Sequence, residues 1–593
     1  MRRSLKAALS AVVVAAPMAL VATQFGASAA APAYHYKLPH NATTRIAGLQ
    51  HFCGSNGITC AEPATTWGEL AGYKAAIKAG ARVLPYIGHD EPATLFYSNT
   101  PGAGNDVTYQ LKLPKDPPTL PKNNGSGGND SFQLHPAFWL GMVMCDPNGS
   151  PNPGGAAGHA TVPCKPDSDS NIYASEDPSS PRYFGLGPGQ AYEEMQFYPP
   201  GWVPQPMGIG CTAKQWCAAL NIDTFQDNEN TGAVNNTACL NTVGPEPVNF
   251  AYVTKNGKST APANPGSPQH FIPNNKANLL MNPGDQLTVH LFDTPGGLKV
   301  TIVDHTSGAT GSMTAGKANG FGTVLWQPNA TKCTITPLNY HAEFSTSTPQ
   351  TRNVNAAHTY NIAFSDEIGH FEECGKVDTS SPIAACARPL GPDTNDGDVG
   401  PDPAGDDNFC LPASQALAVK INGCLDIDGD FDGVPYTFAW PGSISNVTAD
   451  RLLHPTSFEF TSPTTVGGKN FSQMTFESDI SRNESSDTAF RVDQPCERHF
   501  ANPADPNPGL GCVNPPPNSV FYPFYSTGEN SSGCFWQEGG PYIPGTVNRF
   551  GGSAHAEFGP LRVIHYPTAP FGTITKRSND FRSNIASNPC PAG

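Results

Sequence analysis

Glycine and proline together make up about one residue in five of this chain, 60 of each in 593, roughly twice average usage. Proline removes a backbone donor and fixes φ, and glycine loses the most freedom on ordering, so long helices, coiled coils and helical solenoids are disfavoured. A β-rich, loop-heavy chain is expected. The hydrophobic fraction of 38% is enough for substantial cores, and a prior of roughly 100 to 200 residues per domain suggests two to four units. The 50 acidic residues exceed the 34 basic ones, for a net charge of −16. Such a surface repels phosphate, which argues against nucleic acid as a partner.

Arg2, Arg3 and Lys6 precede an apolar run from Ala7 to Ala22, and Ala27-Ser28-Ala29 offers a small-residue cleavage site. Residues 1–29 therefore read as a signal peptide, and the product as secreted and extracellular. No later run reaches the roughly 18 apolar residues of a membrane span, so no membrane partner is expected after signal removal. The 16 cysteines all lie beyond Ala29, an even set that reads as disulfides in an exported protein. Cys53/Cys60, Cys145/Cys164, Cys374/Cys386 and Cys410/Cys424 suit loop staples, although spacing alone does not dictate connectivity. Neither G-x-S-x-G nor H-E-x-x-H occurs, which removes the nucleophile elbow and the zinc peptidase motif. Gly311 to Lys317 copies a P-loop superficially, but Ala318 stands where Mg²⁺ would need a hydroxyl, so a turn is expected.

The richest Pro/Gly/Asp segment, 389–408, reads as a linker between an enlarged domain at 30–388 and a second at 409–593. Leu134-His-Pro, Phe197-Tyr-Pro and His341-Ala-Glu-Phe recur in the same order as Leu453-His-Pro, Phe521-Tyr-Pro and His555-Ala-Glu-Phe. That order suggests a duplicated sandwich. Leu287, Val289 and Leu291 alternate with polar positions, Thr-Pro-Gly-Gly turns the chain, and Leu298, Val300 and Ile302 alternate again, which predicts a β-hairpin. The expected fold class is all-β: two antiparallel β-sandwich or jelly-roll domains, disulfide-rich.

The stretch from Pro283-Gly-Asp-Gln to Asp304-His-Thr-Ser-Gly resembles the corresponding part of the glutamic peptidases (eqolisins). Upstream, Tyr192-Glu-Glu-Met-Gln-Phe-Tyr-Pro is similar to that family's Tyr-Glu-Trp-Tyr-Pro strand. Downstream, Tyr340-His-Ala-Glu343-Phe is similar to the strand carrying its catalytic Glu. The likeness covers about residues 190–375 and implies a concanavalin-A-like sandwich, with Glu343 as the residue that activates water. The family's catalytic Gln has its nearest likeness at Trp536-Gln537, in the other half.

Read as a strand, Ala191 to Tyr198 presents Tyr192, Glu194, Gln196 and Tyr198 on one face, and Glu193, Met195 and Phe197 on the other. The first face, with Trp202 beyond the Pro-Pro-Gly bend, suits sugar binding: phenols and indole for apolar sugar faces, carboxylate and amide for hydroxyls. Glu194 is one half of an acid/base pair. Its partner is sought in Glu343, Asp366 or Glu367, because glycoside hydrolysis needs two carboxyls in different protonation states. Asp426, Asp428, Asp430 and Asp432 alternate toward a Gly turn, a pattern that can wrap oxygen ligands around a structural Ca²⁺; catalysis itself requires no cofactor.

These features predict a hydrolase of an extracellular polysaccharide or glycan. The first alternative is an acid-active glutamic-type endopeptidase with a protein substrate, and the second a non-catalytic lectin-like module. The sequence leaves the oligomeric state open.

Overall fold

The computed structural model describes residues 93–98, 102–113, 115, 138–151, 189–200, 211–224, 226–228, 233–244, 247–342, 362–366, 371–380, 385–389, 412–414, 422–425, 459–465, 471–478, 497–498, 509–510, 525–530, 533–538, 561–566, 577–588 and 590. Its first main strands are Ala93–Tyr97 (β1), Asp106–Lys112 (β2), Phe138–Pro151 (β3), Gly189–Tyr198 (β4), Cys217–Thr224 (β5) and Val248–Tyr252 (β6). The middle of the chain adds Gln286–Phe292 (β7), Lys299–Asp304 (β8), Thr310–Thr314 (β9), His341–Ala342 (β10) and Ile362–Asp366 (β11). The last third supplies Glu459–Phe460 (β12), Gln473–Ser478 (β13), Tyr525–Asn530 (β14), Gly533–Glu538 (β15), Leu561–Tyr566 (β16) and Arg577–Ser587 (β17).

These strands form two large sheets. A 10-stranded sheet runs β16-β17-β13-β1-β11-β3-β4-β5-β6, with β10 also on β3, and a 7-stranded sheet runs β9-β8-β7-β2-β12-β15-β14. All pairings within them are antiparallel. Helix is confined, among the described residues, to short turns and the segment Thr237–Val243, which Asn236 caps by accepting from the Cys239 N–H at 3.0 Å.

The sheets share one apolar core, so the architecture is an all-β sandwich. Phe138, Leu140, Met142, Met195, Phe197, Leu220 and Ile222 come from the larger sheet; Val107, Tyr109, Leu111, Val289, Leu291, Val300 and Ile302 come from the smaller. Period two decides this. In β7 and β8 Leu287, Val289, Leu291, Val300 and Ile302 are buried while Thr288, His290, Lys299 and Thr301 are half-exposed, as a strand with one covered face requires.

The predicted hairpin forms with Val300 opposite Leu291 and Ile302 opposite Val289. Thr294 and Gly297 close its turn by exchanging backbone hydrogen bonds of 3.2 and 2.9 Å. At the next turn Asp304 accepts from the backbone N–H of Thr306 and Ser307, and Gly308 takes a φ of 76°. The P-loop look-alike is β9 followed by a short turn, as its Ala318 suggested.

Both sheets cross the expected linker. β1 pairs with β13, Ala93 opposite Glu477, and β2 pairs with β12, where Lys112 and Glu459 also form a 2.9 Å ion pair. Phe96 stands edge-on to Tyr109 and to Trp536, and Phe460 stacks on Trp536 at 6.4 Å. Residues 390–408 and most of the repeated motifs lie outside the described residues. Described disulfides join Cys211–Cys217, Cys239–Cys333 and Cys534–Cys590, and Cys145 is also disulfide-bonded. Among the described residues no helix is long and apolar enough to cross a membrane.

Candidate active site

β4 lies inside the larger sheet, between β3 and β5. Its two faces divide as the alternation predicts: Ala191, Met195 and Phe197 enter the shared core, which turns Tyr192, Glu194, Gln196 and Tyr198 away from the smaller sheet. Register then selects their neighbours. Glu194 is opposite Gly141 on β3 and Asn221 on β5; Tyr192 is opposite Val143 and Asp223. Gly141 has no side chain to crowd the carboxyl, and the Trp139 ring fills the space where its Cβ would stand.

A directional hydrogen-bond chain ends on Glu194. Asn221 Nδ2 donates to the Tyr198 hydroxyl at 3.4 Å, and that hydroxyl donates to Gln196 Oε1. Gln196 Nε2 then donates to Glu194 Oε2 at 2.5 Å. Each donor points toward the carboxyl, so the dipoles reinforce one another in a low-dielectric setting. Glu194 is also hydrogen-bonded to Asp223. A hydrogen bond between two carboxyl groups requires a proton on one of them, so the pair holds an acid beside a base.

All these groups are buried: Glu194 keeps 4% of its surface and Asp223 2%. Burial pushes the Glu194 carboxyl up to about 7, and the bonds from Gln196 and Asp223 pull in the opposite direction. Desolvation is thus the larger effect. The far end of the row is aromatic, with Phe250 6.1 Å from Tyr198 and edge-on to Tyr252 at 4.9 Å, next to the Cys211–Cys217 bridge.

Of the other sequence candidates, Asp366 and Gln537 have described backbones, and neither one's strand adjoins β4. Asp366 ends β11, its backbone opposite Phe138. Trp202, Glu343, Glu367, Asp426, Asp428, Asp430 and Asp432 lie outside the described residues. Gln537 belongs to β15, in the smaller sheet, opposite Glu459. Two residues before Glu343, His341 on β10 bonds through Nδ1 to Asp293 Oδ1 at 2.9 Å and pins the larger sheet to the end of β7. Among the described residues no group of three His, Cys, Asp or Glu is arranged to hold a metal.

Asn221 and Asp223 escape a reading of β4 alone. Their signal is present in Leu220-Asn221-Ile222-Asp223, a polar residue at every second place of a buried strand, which in a sheet interior calls for polar partners across the ladder. The chain matches no protein family model, no curated protein and no solved structure.

Proposed function

We propose that this protein is a secreted, acid-active hydrolase of the glutamic-peptidase type, which cleaves amide bonds of protein substrates with Glu194, Asp223 and Gln196. The observation that carries the reading is the Glu194 carboxyl held between the Gln196 amide and the Asp223 carboxyl. The ionised member of the carboxyl pair takes a proton from water as the water oxygen attacks the amide carbon. The protonated member gives its proton to the departing nitrogen as the C–N bond breaks. One N–H of the Gln196 amide binds Glu194, and the second is the donor for the developing oxyanion.

Geometry favours this chemistry over sugar hydrolysis. Hydrogen-bonded carboxyls are closer than the about 5 Å of retaining and the about 6.5 to 9.5 Å of inverting glycosidases. The polysaccharide reading draws on a separate observation, the Tyr198, Phe250 and Tyr252 rings beside the acid, which suit stacking on sugars. A structural Ca²⁺ at the acidic 426–432 loop belongs to either reading.

Digestion of denatured protein and of a polysaccharide panel between pH 3 and 7 separates the two. Glu194→Gln and Asp223→Asn are each expected to lower kcat for peptide cleavage by about 10²-fold or more. Full cleavage in both variants removes the proposal, and sugar release without peptide cleavage transfers the same carboxyls to the second reading.

A further inference from the structure

One acceptor in the acid row has no donor. Asn221 is completely buried, and its side-chain oxygen has no hydrogen-bond partner. Its other amide atom, Nδ2, is committed to the Tyr198 hydroxyl at the root of the chain that runs to Glu194. The amide therefore cannot turn over without breaking that chain, and the oxygen is held in place as an acceptor. Directly across the ladder is Glu194, and two residues along the same face of β5 is Asp223. An unmatched buried acceptor is disfavoured, and native interiors resolve such groups with ordered water making about two to four hydrogen bonds.

We propose that Asn221 seats the hydrolytic water. The water donates one hydrogen to Asn221 Oδ1 and the other to the ionised carboxyl of the Glu194/Asp223 pair, whose own proton stays in the bond between the two carboxyls. A lone pair of the water oxygen is the nucleophile. The Asn221 bond leaves the water oriented, so the only proton to depart during attack is the one facing the carboxyl. After attack the oxygen belongs to the new carboxylic acid and the second hydrogen stays with it, while the leaving nitrogen takes the proton from the other carboxyl. Asn221 is then a positioning residue, acting through the water rather than on the substrate. This inference rests on the hydrolase reading for its chemistry, but the seat itself stands or falls on structure.

The test joins crystallography to kinetics on the full mature chain, using Asn221→Leu, which keeps the volume and loses the acceptor, and Asn221→Ser, whose hydroxyl still accepts. In the unaltered protein an ordered water is expected within hydrogen-bond distance of Asn221 Oδ1 and of the carboxyl pair. Asn221→Leu should lose that water and about 10²-fold in kcat with KM within about twofold, whereas Asn221→Ser keeps the water and most of the rate. Absence of the water from the unaltered protein overturns the proposal without any variant having to fold, and so does Asn221→Leu turning over at the original rate. A water found in its seat in a protein that cleaves neither peptides nor polysaccharides leaves the seat standing and removes the hydrolase reading instead.

Discussion

Glu193 stands one residue from the acid row but on the opposite face of β4, fully buried between the sheets, and neither carboxyl oxygen has a hydrogen-bond partner. Burial first, and the neighbouring Glu194 second, hold its carboxyl well above the usual range. Asp146, buried and bonded to Thr323 and to two backbone N–H groups, is likewise raised, to about 6. A carboxyl raised by folding binds its proton more tightly in the native state. Its stabilisation is fully present below the unfolded value, 4.5 for Glu and 3.8 for Asp, and is lost as pH climbs through the folded one, about 6 for Asp146 and about 7 for Glu194. The protein is therefore expected to be more stable at pH 4.5 than at pH 8. Glu193→Met should raise stability at pH 8 by about 1–3 kcal/mol and flatten the pH dependence. Urea midpoints at the two pH values check both, and a lower midpoint for the variant at pH 8 contradicts the account. Alternation in the sequence put Glu193 with Met195 and Phe197, and that division of faces holds. What it lacked was the depth of the slot: nothing local says that the face of a Glu will be sealed by a second sheet.

Among the elements, the β7–β8 hairpin was legible because everything that makes it is local: alternate apolar residues, a Thr-Pro-Gly-Gly turn and matched strand lengths. Its two glycines have different duties. Gly297 sits at a φ of 114°, and a Cβ there would run into the carbonyl oxygens of Ala315 and Tyr340. At Gly296 a Cβ would meet only Thr294 Oγ1 at 3.6 Å and Thr314 Cγ2 at 3.9 Å, ordinary contacts. Gly297→Ala is expected to destabilise by at least about 1 kcal/mol, and Gly296→Ala by less than about 0.5 kcal/mol. Thermal melts of the two variants should separate; equal melts would mean that the turn relaxes. Asn221 opposite Glu194 was hidden for the converse reason. A ladder partner depends on register, and no turn chemistry beside Cys217–Thr224 announces which residue of β4 it faces.

At the scale of the whole molecule, the sequence suggested two units divided at 389–408, and the strands of both large sheets come from both sides of that segment. β1 has β11 on one side and β13 on the other; β2 has β7 and β12. Such pairings leave no trace in composition, because an edge that will be covered by a distant strand looks the same as one covered by a near one. Residues 30–400 and 401–593 expressed separately are expected to be insoluble or unfolded, and to recover β-sheet circular dichroism and a cooperative melt only when refolded together. A cooperative melt from either fragment alone would show that one half carries its own core.

The pairing of Ala93 with Glu477 also sets the order of events in biogenesis. The first of the described strands waits for hundreds of residues before its β13 neighbour exists, with that ladder of amides and carbonyls open to any passing β-edge. Contacts so remote make for slow closure, so the newborn chain needs either a holdase or dilution for as long as its tail is missing. A chain that ends before Gln473 lacks β13 and leaves that edge of β1 without its partner.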